Sequence, residues 1–211
     1  MARRGPALVP GRPTRDPEGI TPAPGELEQV RAFVNTRDIE EGADELTTPA
    51  AFGAWLDARG LSSGGQISPE DLGLAVELRE ALRSVLRGHA GHQDAAAPGV
   101  TRLRRIAASL PVQLQVGPDG SPEPVAGEAA GSGPAALARL LLIASRAATL
   151  GTWERLKVCG ADDCQWAFYD RSPTRSGCWC SMRICGSRAK SRAYRQRAAA
   201  HAPEESQFPE G

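Results

Sequence analysis

The stretch that decides the fold reads KVCGADDCQWAFYDRSPTRSGCWCSMRICGSR, residues 157–188. Four residues lie between Cys159 and Cys164, four more lie between Cys180 and Cys185, and fifteen separate the two pairs. Loops this short can bring two thiolates to one ion, about 2.3 Å from each sulfur, and two such pairs complete a tetrahedron. The spacing therefore predicts one structural Zn²⁺ per chain, bound by Cys159, Cys164, Cys180 and Cys185. Buried or redox-active thiols are the alternative.

The segment that follows is strongly basic and free of acids. Its positive charges are Arg188, Lys190, Arg192, Arg195 and Arg197. In a helix Arg188, Arg192 and Arg195 form one stripe, and Lys190 and Arg197 lie with Tyr194 on a neighbouring one. No acid occurs from 171 to 203, so we expect little local ion pairing. The pattern predicts a helix whose five basic residues bind nucleic acid; a solvated or protein-binding surface is the alternative.

Charge is uneven along the chain although the formal net charge is zero. Residues 151–200 contain ten Lys and Arg against four acids, whereas residues 1–150 contain fifteen basic and eighteen acidic residues. A basic module on a slightly acidic body favours an anionic partner, duplex DNA above all, for the C-terminal part alone.

Several classes of protein are disfavoured. No run approaches the ~18–20 apolar residues of a membrane span, and no apolar segment follows Arg3 and Arg4 as in a secretory signal. Without an export signal, cysteines at ligand spacing favour metal over disulfides, so we expect a cytoplasmic protein. No nucleophile–base group, phosphate loop or metal-spaced carboxylate pair stands out, so we do not expect an enzyme.

Composition divides the chain into four parts. We predict a disordered Pro-rich arm (1–24), a helical domain that could sense a small ligand (25–152), a zinc finger (153–200) and a flexible acidic tail (201–211). The predicted fold class is mainly α with small β-hairpins. A helical N-terminal domain precedes a C-terminal finger built from a knuckle, a β-hairpin and a helix.

Local signals place the elements within these parts. Thr48-Pro49 and Ser68-Pro69 each supply an N-cap and a first-turn proline, and Gly60 should end the first of these helices. We predict a loop over 88–99, then a helix with Ile106 and Ala107 facing inward. Val112, Leu114 and Val116 alternate like a strand, but Ser121-Pro-Glu-Pro124 should pair poorly with it. In the finger, Trp166 and Phe168 should face one side of a half-buried strand, and the last helix should run from about Cys180 to about Ala200.

The finger motifs are similar to those of the CGNR zinc-finger family: Arg155-Leu-Lys-Val-Cys159, Asp170-Arg-Ser172, Trp179-Cys-Ser-Met182 and Cys185-Gly-Ser-Arg188. Upstream, Phe33-Val-Asn-Thr-Arg37 and Leu78-Arg-Glu-Ala-Leu-Arg83 resemble the helical domain called ABATE that precedes this finger. The resemblance covers about residues 26–198. It implies a bacterial stress-induced transcription regulator whose finger binds DNA and whose helical domain is a sensor.

Two residues depart from the family's pattern. Ser187 stands where the name-giving motif has Asn; helix capping survives this change, but a DNA contact by that amide would not. Cys178 lies where the family commonly has basic residues. It could replace Cys180 as a ligand, but the Trp-Cys-Ser-Met context points to Cys180, and we interpret Cys178 as a bystander.

In the helical domain Asn35, Arg37 and Arg79 are candidate ligand-binding residues, with helix capping and surface ion pairs as the alternative. His89 and His92 flank a Gly-containing loop, and we predict that both are exposed. The sequence thus favours a DNA-binding transcription regulator. A zinc-finger adaptor for a protein partner and an RNA binder are the alternatives, and a homodimer is left open.

Overall fold

The computed structural model describes residues 22–62, 64–127 and 132–200. The predicted acidic tail and most of the predicted N-terminal arm therefore lie outside the described residues. Residues 22–24 of that arm are described, and Ala23 is buried against the main core.

Helices dominate these residues and the sheets are two-stranded and antiparallel, which confirms the predicted fold class. The helices are α1 (Leu27–Val34), α2 (Pro49–Asp57), α3 (Pro69–His89), α4 (Gln93–Ser109), α5 (Ser132–Thr149) and α6 (Ser187–Ala200). The strands pair as β1 (Arg37–Asp38) with β2 (Ala43–Asp44), β3 (Val112–Val116) with β4 (Pro122–Ala126), and β5 (Leu156–Val158) with β6 (Ala167–Tyr169). Within the described ranges, no helix has the length and apolar character needed to cross a membrane.

The predicted helix starts are confirmed by their hydrogen bonds. The Thr48 hydroxyl accepts from the Ala51 amide, and Ser68 forms a reciprocal capping box with Asp71. Gly60 closes the end of α2 in a left-handed conformation (φ +63°), while the Leu61 amide donates to the Leu56 carbonyl at 3.0 Å. Such a closure needs a residue that tolerates positive φ, which is why glycine stands there.

The main core lies between α1, α3 and α5. Leu78, Leu82 and Leu86 recur every four residues along α3 and are fully buried. Phe33 of α1 packs against Trp55 of α2, with ring centroids 5.6 Å apart. Each fully buried leucine contributes roughly 1.5–3 kcal/mol, so this stripe anchors the domain on α3.

The connection between α3 and α4 is shorter than predicted. The expected loop over 88–99 is wrong, because α4 already begins at Gln93. Gly99 explains the close pairing of the two helices: a Cβ built there would lie 2.5 Å from the Cβ of Ser84 on α3. Ile106 is buried as predicted, but Ala107 is exposed, so that part of the predicted inward face is wrong.

The second strand of the β3–β4 hairpin pairs along its whole length, against expectation. The amide of Gly117 donates to Ser121 and that of Gly127 donates to Pro111, so the hydrogen-bonded positions of β3 are the odd-numbered ones. Pro122 and Pro124 face even-numbered residues, where no N–H is needed for the ladder. The prolines are evident in the sequence, but the side of β4 on which their missing N–H groups lie is not.

The β5–β6 hairpin is also buried more deeply than predicted. Trp166 and Phe168 are buried, but so is Ala167, because the hairpin packs against the helical domain on its other side. The last helical segment starts close to the predicted Cys180. It begins as a π turn (Met182–Gly186) capped by Ser181, and α6 continues from Ser187.

Candidate metal centre and basic helix

Two short turns bring the four paired cysteines together. After β5 the chain turns through Gly160 to Cys164, whose amide donates to the Ala161 carbonyl at 2.9 Å. The Gly160 amide donates to the Cys178 carbonyl at 2.9 Å and so ties this knuckle to the second cysteine pair. Positive φ at Gln165 (+49°) returns the chain into β6.

The four sulfur atoms form a compact cluster. The Sγ atoms of Cys159, Cys164, Cys180 and Cys185 all lie within 4.8 Å of one another, with 3.6 Å from Cys164 to Cys180 and 3.7 Å from Cys180 to Cys185. A tetrahedral ion with sulfur ligands at about 2.3 Å requires sulfur–sulfur distances of about 3.8 Å. The four side chains therefore fit one such ion, and Cys178 is not a member of the cluster.

Without a cation this cluster cannot carry four negative charges. Hydrogen bonds from Cys164 and Cys180 hold the pKa of the Cys159 thiol far below its usual value. The same contacts with Cys159 raise the pKa of Cys164 and of Cys180, and burial raises the pKa of Cys185. A bound cation would release the remaining protons, which is how thiolate metal sites form.

A small second core surrounds the sulfurs. Trp166 is 2% exposed and packs with Cys159, Cys164 and Cys185. Trp179 and Ile184 cover this cluster and are partly buried. The expectation that Trp166 and Trp179 form the finger's core is confirmed.

A buried ion pair that sequence reasoning missed organises the loop between the cysteine pairs. Lys157 Nζ lies 2.8 Å from an Asp170 carboxylate oxygen, and both side chains are 4% exposed. Lys157 also donates to the carbonyls of Arg175 and Gly177, while Asp170 accepts from the amides of Ser172 and Gly177. These contacts lower the pKa of Asp170 against the opposing effect of its burial. Both residues lie in finger motifs quoted above, but neither motif indicates that Lys157 and Asp170 form a pair.

Asn35 lies between the helical domain and the finger. Its Nδ2 donates to the Ala167 carbonyl at 3.0 Å, and its Oδ1 accepts from the Ala167 amide at 2.7 Å. Arg83, 3% exposed, donates from Nη1 to Gln165 O (2.8 Å) and from Nη2 to Val34 O (2.6 Å). These two side chains attach the strand β6 to α1 and α3.

Of the other two predicted ligand-binding residues, Arg79 has its side chain in protein contacts, whereas Arg37 contributes a backbone contact. Arg79 is fully buried and forms a bidentate pair with Asp44 at 2.6 and 2.8 Å. Arg37 is exposed, and its carbonyl accepts from Arg83. The side chains of Asn35 and of Arg79, a residue of α3, therefore both serve as structural contacts.

The prediction that His89 is exposed is wrong. Its ring is half-buried, Nδ1 lies 2.9 Å from the Leu156 carbonyl, and the Trp153 ring meets it edge-on. Burial lowers the pKa of His89. His92 is exposed as predicted.

Helix α6 lies at the surface of the described chain. Every residue from Lys190 to Arg197 is exposed, whichever side of the helix it occupies. At 3.6 residues per turn the stripe containing Arg188 and the stripe containing Lys190 lie on roughly opposite sides, not side by side as expected.

The stripe of Arg188, Arg192 and Arg195 is the inner stripe, and two of its arginines pair with acids that are distant in sequence. Arg188 contacts Glu40 at 2.8 Å, and Arg192 contacts Asp163 at 3.0 Å. The basic segment thus has no acid of its own, but in the folded chain two of its arginines form ion pairs with acids from other segments. The outer stripe, with Lys190, Tyr194 and Arg197, points away from these acids.

Fold and site together define a two-part protein: a helical domain joined to a finger with a four-cysteine metal centre. The chain belongs to the ABATE family, whose model, described as a putative stress-induced transcription regulator, matches residues 9–153. The CGNR zinc-finger model matches residues 155–198. Both expected families and their order are thereby confirmed, and neither is an enzyme family. No curated protein matches the chain.

Proposed function

We propose that the protein is a cytoplasmic, DNA-binding transcription regulator without catalytic activity, whose finger holds one structural Zn²⁺ and presents α6 to duplex DNA. The sulfur geometry supports the metal assignment, because four thiolates complete a tetrahedron and leave no position for a reactive water. The ion would act as a cross-link between the knuckle and the turn before α6.

Zinc content tests the metal part of the proposal. Purified protein should contain one zinc per chain by elemental analysis, and Cys180→Ser should lose it. Cys178→Ser is the matched control, because Cys178 lies outside the sulfur cluster and its removal should leave zinc content and fold intact. An undiminished zinc content in Cys180→Ser would overturn the ligand assignment.

The observation that supports DNA binding is the basic helix α6, in which every residue from Lys190 to Arg197 is exposed. An isolated helix of this length gains little stability in water, so a helix exposed on all sides suits a surface that a partner covers. Its outer stripe contains the basic residues Lys190 and Arg197 on either side of Tyr194. Such side chains can neutralise phosphates, and a helix fits the major groove.

Measurement of DNA affinity over a series of salt concentrations tests the proposed contact between α6 and DNA phosphates. If both residues contact phosphates, Lys190→Ala/Arg197→Ala should reduce the slope of log affinity against log salt by about 1.8, from ~0.9 per phosphate. The matched control is Arg102→Ala/Arg104→Ala, which removes the same charge from two exposed positions of α4. Equal slopes in wild type and the α6 variant, at equal zinc content, would refute DNA contact by this stripe.

The same experiment separates the alternatives. A protein-interaction adaptor should show no salt-dependent binding to duplex DNA, and an RNA binder should prefer single-stranded RNA over duplex. We favour DNA because a helix that carries basic side chains fits the major groove of a duplex, whereas single-stranded RNA is recognised mainly by stacking of its unpaired bases.

Ligand sensing by the helical domain is the second part of the proposal. A cavity of about 650 Å³ lies between α5 and the β3–β4 hairpin, lined among others by Arg139, Arg146, Gln113 and Gln115. Arg139 donates to the Leu61 carbonyl at 3.0 Å, and Arg146 lies 3.4 Å from Glu26, which also lines the cavity. A small molecule with a carboxylate or phosphate group would therefore bind by displacing Glu26 from Arg146. Native mass spectrometry should detect a bound small anion in wild type and lose it in Arg146→Ala; an identical empty spectrum for both would refute the proposal.

A further inference from the structure

The β3–β4 hairpin carries its apolar side chains outward. Val112, Leu114 and Val116 are 51%, 76% and 73% exposed. The polar residues between them, Gln113 and Gln115, are exposed as well and line the cavity beside α5. A hairpin that folds for its own domain normally does the reverse, so the outward face is suited to a partner.

The outer edge of β3 is open for strand pairing. Because the odd-numbered residues of β3 bond to β4, the N–H and C=O groups of Val112, Leu114 and Val116 point away from β4. Within residues 22–62, 64–127 and 132–200, no backbone hydrogen bond joins these groups to another segment. Strand β4 cannot offer a comparable edge, because Pro122 and Pro124 lack the donors and β4 lies beside α5.

Among the residues that the structure describes, none protects this edge in the ways that edge strands are normally protected. Residues 110–117 contain no charge, and within β3 there is neither a proline nor a bulge. Proteins usually blunt exposed edges with lysine, proline or bulges, and an unprotected one is a template for another strand.

The order of the side chains in β3 identifies the partner. The strand reads Val-Gln-Leu-Gln-Val and is the same in both directions. Paired antiparallel with itself about Leu114, it places valine against valine and leucine against leucine, with roughly six main-chain hydrogen bonds. This symmetry is what a two-fold, self-complementary interface requires.

We propose that two copies of this chain form a homodimer by antiparallel pairing of their β3 strands about Leu114. The two hairpins then form one four-stranded sheet with a continuous apolar face. If the proposed DNA binding also holds, a two-fold dimer presents two α6 helices and favours inverted-repeat half-sites. The dimer itself does not depend on DNA and is tested without it.

Light scattering on the zinc-loaded full chain, over a concentration series, gives the first test. Wild type should reach twice the chain mass of 22.3 kDa, and Leu114→Lys should return to a single chain mass. Leu150→Lys is the matched control, because Leu150 is also 76% exposed but lies at the end of α5, and this variant should stay dimeric. A wild type that remains monomeric, or a Leu114→Lys variant that remains dimeric, overturns the proposal.

Cysteine cross-linking tests the register independently. In a Cys178→Ser background, Leu114→Cys places two thiols on a directly opposed pair about 5.5 Å apart at Cα, within disulfide range. Mild oxidation should cross-link Leu114→Cys and leave Gln115→Cys uncross-linked, since Gln115 opposes Gln113 of the second copy. Equal cross-linking of both variants overturns the β3–β3 register.

Discussion

Replacement of Asn35 tests whether this residue serves the fold or a ligand. Asn35→Ala removes two hydrogen bonds to Ala167, one to its N–H and one to its C=O, and Ala167 is fully buried. A buried polar group left without a partner costs about 1–3 kcal/mol. Two such groups give a loss of about 4 kcal/mol in the free energy of unfolding.

The size of the expected effect makes the assay simple. For a chain of this length, 1 kcal/mol lowers Tm by about 2–4 °C, so Asn35→Ala should melt about 8–16 °C below wild type. Asn35→Asp should be at least as damaging, because a carboxylate cannot donate to the Ala167 carbonyl. Gln165→Ala is a suitable control, since its side-chain bond to Asp162 is exposed and its loss should change Tm by little.

Hydrogen exchange locates the damage. The Ala167 amide should lose protection in Asn35→Ala, while amides in the middle of α3 keep theirs. A Tm within about 1 °C of wild type, with unchanged protection at Ala167, would refute the structural role and favour the alternative that Asn35 binds a ligand.

Three further predictions follow from the same contacts. Asp170→Asn should destabilise the finger by about 3–5 kcal/mol by leaving Lys157 buried without its partner, and Asp119→Asn on an exposed turn should change the melting curve little; equal effects would contradict this. Because the pKa of His89 is lowered in the fold, its stabilising effect is complete above the unfolded pKa of about 6.5 and declines as pH falls below it; Tm should therefore drop between pH 7.5 and 5.5, and His89→Gln should flatten that slope. Chelation should remove exchange protection around Trp179 and Cys185 while β5 and β6 stay protected by the helical core, whereas loss of protection in both would show that the metal holds the whole finger.

Signals that act over a few residues were readable from the sequence. Thr48 and Ser68 before prolines predicted two helix starts, because an N-cap and a first-turn proline act locally. The cysteine spacing predicted the sulfur cluster for the same reason, since each pair closes a short loop. The prolines of β4 misled the prediction, because their cost depends on which side of the strand the partner lies.

Signals that depend on tertiary contacts were not readable. Lys157 and Asp170 look like surface charges until the loop between them closes, and Glu40 reaches Arg188 across 148 residues. Asn35 was recognised as a notable residue, but its partner is the backbone of Ala167, which no side-chain pattern reveals. A backbone partner leaves no trace in a single sequence.

The helical domain and the finger share one hydrophobic core at their boundary. Leu156, Val158 and Ala167 belong to the main core of the helical domain, although they lie within the residues of the finger. Helix α3 reinforces this joint: Arg83 donates to Gln165 O at 2.8 Å, and His89 Nδ1 lies 2.9 Å from the Leu156 carbonyl. One helix therefore contacts strand β5 and the residue Gln165, which leads into β6. An event that shifts α3 would move the metal centre and α6 with it, whereas a finger on a flexible linker would not respond.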